Sequence, residues 1–289
     1  MNFAKLIDFE NKINVVDVGA SPLLGESNPP YKPLLDRGIA EVIGFDLNLD
    51  AISELNLRKG KNETYLPYAV YDGKEQELKI CMIPGMSSLL EPNLELLNYF
   101  HGFPEWGKVQ ERLPIQTVRL DDISEIKEID YLKIDIQGGE LEVFRNGINR
   151  LHDCLVIHTE VEFLPMYQGQ PLFSEVELFL REQGYIFHRF SPLVSRVIQP
   201  TVLNVDGSED IRGGLSQVFW ADAVFIKDFR KFDQLSTIKL KKMAIILHEC
   251  YSSIDLVLRA LMAYDTKSNS TLAKKYINHS FESKRYTTN

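Results

Sequence analysis

The stretch that most constrains this chain is Val15-Val16-Asp17-Val18-Gly19-Ala20-Ser21. The apolar run Ile13, Val15, Val16, Val18 ends in a glycine with an acid two places before it. That is how a buried parallel strand reads as it enters a tight turn. Gly19 takes backbone angles closed to other residues and lets a ligand come close to the main chain. A second apolar strand, Val42-Ile43-Gly44-Phe45, ends in Asp46. Acids at the tips of two strands about one strand–helix–strand unit apart suit a nucleoside, since the second can hold both ribose hydroxyls.

The same residues discriminate between nucleosides. A dinucleotide site wants G-x-G-x-x-G opening a helix, whose bare N–H groups cradle a pyrophosphate. Here the turn reads Gly19-Ala20-Ser21-Pro22, the next glycine is Gly25, and a proline has no N–H to give. This disfavours an NAD-type oxidoreductase. Asp-x-Gly followed by an acid after the second strand fits S-adenosylmethionine better: it lacks a phosphate, and its ammonium and sulfonium favour carboxylates. A strand tip with Gly and another with Asp are common in α/β folds, so another nucleotide and a ligand-free fold stay open on these residues alone.

Composition narrows the classes. A chain of 289 residues with 44% hydrophobic and 25% charged content can bury a sizeable core. The formal charge of −9 argues against nucleic acid as the main partner. Cys81, Cys154 and Cys250 lie far apart in apolar contexts, which reads as buried free thiols rather than disulfides or a zinc site. The first residues lack a secretory h-region and no apolar run approaches about 18 residues, so no membrane span and a cytoplasmic location are expected.

Along the chain, residues 1–12 read as a short lead-in helix, and Asn28-Pro29-Pro30 as an N-cap with prolines opening a helix through Leu34 and Leu35. A helix from Asp50 ends at Gly60. A third strand, Tyr65–Val70, finishes at Tyr71-Asp72-Gly73. Asp72 is then placed at the adenine edge, with a turn-forming Asp-Gly as the alternative. Residues 74–120 break the alternation and read as a lid or insertion over the ligand cleft. In it, Ser87 and Ser88 either bind or cap a turn, and Tyr99, Phe100, Phe103 and Trp106 either stack on a sugar face or pack.

The most informative downstream segment is Tyr131-Leu132-Lys133-Ile134-Asp135-Ile136-Gln137-Gly138-Gly139-Glu140. A strand ends at Asp135, the glycines turn, and a helix carries Leu141, Phe144, Ile148 and Leu151 on one face. A fifth strand, Cys154–Val161, bears His158 and Glu160. A helix through Leu172, Val176 and Phe179, a strand Tyr185–Phe190 and an antiparallel closing strand Gln217–Ile226 follow. Units of this length imply right-handed crossovers and an α/β domain with a mostly parallel central sheet over residues 1–228. Residues 229–265 form a C-terminal helical extension. Its seam of Leu240, Met243, Leu247, Cys250, Ile254, Val257 and Leu261 suits a homodimer through the 235–262 helices, or packing against its own domain. Residues 266–289 read as a polar, frayed tail.

The blocks VVDVGAS, GFDLN, PGMSSLLEPN, TVRLDDI, YLKIDIQGGELEVFRNG and HTEVEFLPMYQGQPLF resemble the FkbM-type S-adenosylmethionine-dependent methyltransferases, from about Val15 to Phe190. The resemblance implies a class I Rossmann-like methyltransferase, of a kind often acting on sugar hydroxyls in polysaccharides, glycolipids or natural products. It implies that Asp17, Gly19 and Asp46 hold the donor and that Asp135 closes the cleft. Ala20, Ser21, Leu47 and Asp72 are the further donor candidates.

Methyl transfer to an alcohol needs in-line placement and a group to remove the hydroxyl proton. Asp135, His158 and Glu160, at or near the ends of adjacent strands, are the candidate bases, although His158 on a buried strand reads equally as a core histidine. Ser88, Gln137 and Glu160 are candidate acceptor contacts. No metal centre is written into the spacing, but Asp135, Glu140 and Glu160 are a set able to share a divalent cation. The rival reading is a non-catalytic domain that keeps the donor fold as a binding or regulatory protein.

Overall fold

The computed structural model describes residues 3–21, 28–211 and 213–281. The Pro22 and Gly25 features of the first turn lie outside the described residues. A lead-in helix α1 (Phe3–Leu6) buries Phe3 and Ala4 and leads into β1 (Ile13–Val18). Next come α2 (Lys32–Asp36), β2 (Ala40–Phe45), α3 (Leu49–Arg58) and β3 (Glu63–Leu66). The α2 helix starts later than the Asn28 cap implies: Tyr31 holds the cap position without a side-chain bond, and Pro33 occupies the first turn. Asn48 caps α3, its Oδ1 accepting from the N–H groups of Asp50 and Ala51 at 3.1 Å.

Past β3 the chain leaves the main sheet. The single strand expected over 65–70 is two: Pro67 has no N–H for the ladder, and β4 (Ala69–Tyr71) pairs elsewhere. It joins a three-stranded sheet of order β4-β6-β5 with β5 (Glu75–Cys81) and β6 (Val109–Arg119). Between those two strands lie a 3-10 turn at Pro84–Met86, α4 (Leu94–Leu97) and α5 (Phe103–Trp106). Phe100 and Phe103 are buried there against Phe219, the first ring tilted and the second edge-on, so these two lid aromatics pack rather than offer a sugar platform.

The chain then returns through β7 (Tyr131–Ile134), α6 (Glu140–Arg145), α7 (Ile148–Leu151), β8 (Val156–Glu162), α8 (Phe173–Glu182) and β9 (Tyr185–Arg196). A hairpin of β10 (Leu203–Val205) and β11 (Ser208–Asp210) precedes β12 (Gln217–Lys227). The central sheet has the order β3-β2-β1-β7-β8-β12-β9. Neighbours from β3 to β8 pair parallel, and β12 runs antiparallel to β8 and β9. This is the Rossmann-like α/β architecture expected, including its antiparallel closing strand.

Period-two alternation sorts each strand's side chains onto two cores. Val16, Val18, Leu132, Ile134, Ile157 and Phe225 face α6 and α8, whose Leu141, Phe144, Val176 and Leu180 complete that layer. Val15, Val42, Tyr131, Val156 and Val224 face the other way and are covered by the C-terminal helices α9 (Thr237–Glu249), α10 (Ile254–Ser268) and α11 (Leu272–Phe281). Leu240, Met243, Leu247, Val257 and Leu261 are fully buried in this second layer. The heptad seam is therefore filled by its own domain rather than left for a second subunit. Lys239 and Lys242 anchor α9 on the buried Asp130 carboxylate at 2.8 and 2.6 Å. The tail expected to fray instead carries α11, with Leu272, Ala273 and Tyr276 buried.

Candidate active site

Acids and glycines collect where the parallel strands end, the rim at which open α/β sheets bind ligands. Gly19, directly after β1, has φ +79°, and a Cβ there would lie 1.9 Å from the carbonyl oxygen of Asp135. No other residue lets the first and fourth parallel strands approach this closely. At the tip of β2, Asp46 accepts the N–H of Ser21 (3.0 Å) on one oxygen and that of Asn48 (2.9 Å) on the other. Each oxygen keeps a lone pair for a ligand hydroxyl.

A cavity of about 470 Å³ opens beside these groups. Gly19, Ser21, Asp46, Leu47, Asp135 and Gln137 line it, and the insertion supplies Leu78, Ile80, Ser87, Ser88 and Leu113. Its lining thus combines apolar side chains, suited to a purine, with carboxylates, suited to positive charge. A second cleft continues past the same rim, bordered by Asp17, Ala20, Glu160, Pro192, Trp220 and Asp222. Gly19, Ser21, Lys133 and Asp135 line both. The two spaces meet at Asp135.

The predicted residues divide accordingly. Gly19, Ser21, Asp46, Leu47 and Asp135 face the donor-sized cavity, whereas Asp17 and Ala20 face the second cleft. Asp17 is engaged already: it accepts from Tyr31 Oη at 2.5 Å and lies 3.5 Å from Lys133 Nζ. Burial pushes its carboxyl above the usual range. Asp72 lines neither space. Its carboxylate accepts from the Lys74 N–H, Gln76 and Thr117 at 3.0–3.1 Å, so the turn-forming alternative is the observed one. It is misplaced because β4 has left the main sheet.

Ser88, Gln137 and Glu160 come together. Ser88 Oγ donates to the Gln137 carbonyl (2.7 Å), and Gln137 Nε2 donates to Glu160 Oε2 (2.8 Å) and Asp135 Oδ1 (3.0 Å). Burial, then the carboxylates of Asp135, Glu162, Glu140 and Asp222, raises the Glu160 carboxyl well above its ordinary value. Burial likewise pushes Glu140 up to about 7. His158 lines neither space: its Nδ1 pairs with Tyr251 Oη (3.0 Å) and its Nε2 lies 3.3 Å from Asp222 Oδ2. It is a core histidine rather than a group in the cleft, and Tyr251 holds it from the connection between α9 and α10.

Sequence reasoning missed Lys133, Glu162 and Asp222. Lys133 and Glu162 were within reach of it, since period two puts Lys133 on the Asp135 face of its strand and Glu162 on the Glu160 face. Asp222 is an acid in an alanine-flanked run, and only the antiparallel register opposite Glu160 brings it to the cleft.

Residues 17–187 match the family model for the methyltransferase FkbM domain, with the Asp17 and Gly19 turn, Asp46, Asp135 and Glu160 all inside the match. The chain belongs to the FkbM methyltransferase family. S-adenosylmethionine is its methyl donor, and Asp46 and Asp135 both line the cavity of about 470 Å³. No curated protein matches the chain. Among solved structures, magnesium protoporphyrin IX methyltransferase from Synechocystis, solved with bound SAM, is similar at 11% identity and TM-score 0.37, over 78% of this chain and 76% of that one. The methyltransferase FkbM of Methylobacillus flagellatus is similar at 10% identity and TM-score 0.38, over 78% of this chain. This FkbM-family chain covers 48% of that protein's length.

Proposed function

We propose that the protein transfers a methyl group from S-adenosylmethionine to a hydroxyl of a sugar in a polysaccharide, glycolipid or natural product. The observation that carries this reading is the meeting of two spaces at Asp135, one able to hold the donor and the other bordered by Glu160 and Asp222. Asp46 would hold the ribose hydroxyls, with the Gly19 turn and Asp135 around the charged end. The donor supplies an electrophilic methyl carbon when bound.

This chain's own residues supply the rest. Sugar hydroxyls are weak acids, and a carboxylate whose proton affinity is raised is the stronger base toward them. Glu160 meets that condition and borders the second cleft, while Gln137 fixes its orientation. Asp135, tied to the same amide, keeps the two tips at a set spacing. Positioning of this kind lowers the barrier by prepaid orientation.

Transfer of tritium from labelled donor to a panel of neutral glycosides and glycan fractions tests the reading. Glu160→Gln should cut turnover by about two to four orders of magnitude with donor binding retained. Donor binding with no transfer to any hydroxyl would remove it in favour of a non-catalytic binding role, and equal turnover by the variant would remove Glu160 as the base.

A further inference from the structure

The rim holds more buried negative charge than the proteinaceous partners there answer. Asp135, Glu140 and Glu160 each present an oxygen within 4.8 Å of one another, and Glu140 and Glu160 are 3% and 8% exposed. Beside them, Glu162 is 1% exposed, and its Oε1 has no hydrogen-bond partner among the described residues. It lies two residues along the same face of β8 as Glu160, and its electrostatic neighbours are Glu140, Asp135 and Glu160. Lys133, on the same rim, lies against Asp17 and donates to the Gly19 carbonyl at 2.9 Å. Burying carboxylates together is costly unless a counter-charge sits among them.

We propose that Asp135, Glu140 and Glu160, backed by Glu162, form a binding site for one hard divalent cation of the Mg²⁺ or Mn²⁺ class where the two spaces meet. Every ligand atom is oxygen, which selects hard ions over thiophilic ones. Gln137 explains how the acids stay together without it: its Nε2 donates to Asp135 and Glu160 at once. Turning that amide over would present Oε1 to the ion instead. Its Nε2 would then donate to Tyr167 Oη, which already lies 3.1 Å from the amide and itself donates to the Met86 carbonyl at 3.1 Å. The exchange strands no polar group. Glu140 is held rigidly for the task, its Oε1 accepting from the Ile136 and Gly138 N–H groups.

The role of the ion rests on the methyl-transfer reading above; its binding does not. An acceptor hydroxyl on the ion would be a stronger acid.

The test is calorimetric titration of the chelator-treated full chain with MnCl₂, without donor, followed by competition with MgCl₂. The expected result is saturable uptake of one equivalent, weakened by about tenfold or more in Asp135→Asn and Glu160→Gln. Glu162→Gln is the second variant should either of those fail to fold, with loss in the same direction. No saturable uptake by the wild-type chain up to about 10 mM, a weak-site ceiling, or uptake unchanged in all folded variants, overturns the proposal. Titration with S-adenosylhomocysteine is run alongside. Binding of that nucleoside without the ion sinks the cation site alone, and binding of the ion without the nucleoside sinks the donor reading alone.

Discussion

Nε2 of Gln137 stands 2.8 Å from Oε2 of Glu160, so one amide ties the turn after β7 to the end of β8. Gln137 achieves this from φ +61°, a left-handed conformation that costs a non-glycine residue about 1 kcal/mol or more. Its neighbours hold it there: Ser88 donates to its carbonyl, and Tyr167 to its Oε1. Strain retained at the meeting point of two ligand spaces is what a site fixed for positioning shows.

The proposed donor site makes Asp46 a determinant of affinity. Its oxygens each take one backbone N–H and leave capacity for ribose hydroxyls. Asp46→Ala should weaken S-adenosylhomocysteine binding by about tenfold to a hundredfold, from about 1.5–3 kcal/mol per charge-assisted bond. Isothermal titration reads this directly, with circular dichroism confirming the fold. Unchanged affinity would move the ribose elsewhere.

Gly19 admits no side chain. Alanine there would need φ +79° and would place its Cβ 1.9 Å from the Asp135 carbonyl oxygen. Gly19→Ala should destabilise the chain by about 2 kcal/mol or more and abolish nucleoside binding. Chemical denaturation measures the first effect. A variant of wild-type stability would show that the two strand tips lie further apart.

The C-terminal layer should loosen in acid through His248. Its ring sits between Phe3 and Tyr276, with Nδ1 3.1 Å from Tyr276 Oη, and burial holds its pKa below 6.5. Glu249 opposes that shift and Arg37 adds to it. A histidine depressed in the fold binds fewer protons there than when unfolded. Its contribution is therefore present above about pH 6.5 and lost as pH falls through the folded value. Melting temperature followed from about pH 7.5 to 5.5 should fall less steeply in His248→Gln than in the wild type. Equal slopes would assign the acid sensitivity to other groups.

The thiols should be unreactive in the native protein. Burial pushes Cys81 and Cys154 up to about 11 each, and raises Cys250 as well. The thiolate is the nucleophile, so iodoacetamide at about pH 8 should label native protein far more slowly than unfolded protein. Rapid labelling of Cys81 or Cys154 would show that the core around β5 or β8 opens.

What the sequence revealed follows from how local each signal is. The β1 and β2 tips are read from consecutive residues, so Gly19 and Asp46 stand where alternation and the turn put them. Asp135 and Glu160 are legible for the same reason. Asp72 was misplaced because one proline moves its strand into another sheet, a tertiary event that strand pattern does not carry. His158 points along the same face as Glu160, yet Tyr251, 93 residues away, closes over it. The heptad seam shows its period in sequence but not its partner, and here the partner is the chain's own sheet.

The account stands on where the donor sits, and a crystal structure with S-adenosylhomocysteine tests that most directly. The ribose should lie on Asp46, the base among Leu47, Leu78 and Ile80, and the sulfur end toward Asp135. Density for the nucleoside in another part of the molecule, or an Asp46 carboxylate that touches no ribose hydroxyl, would contradict it.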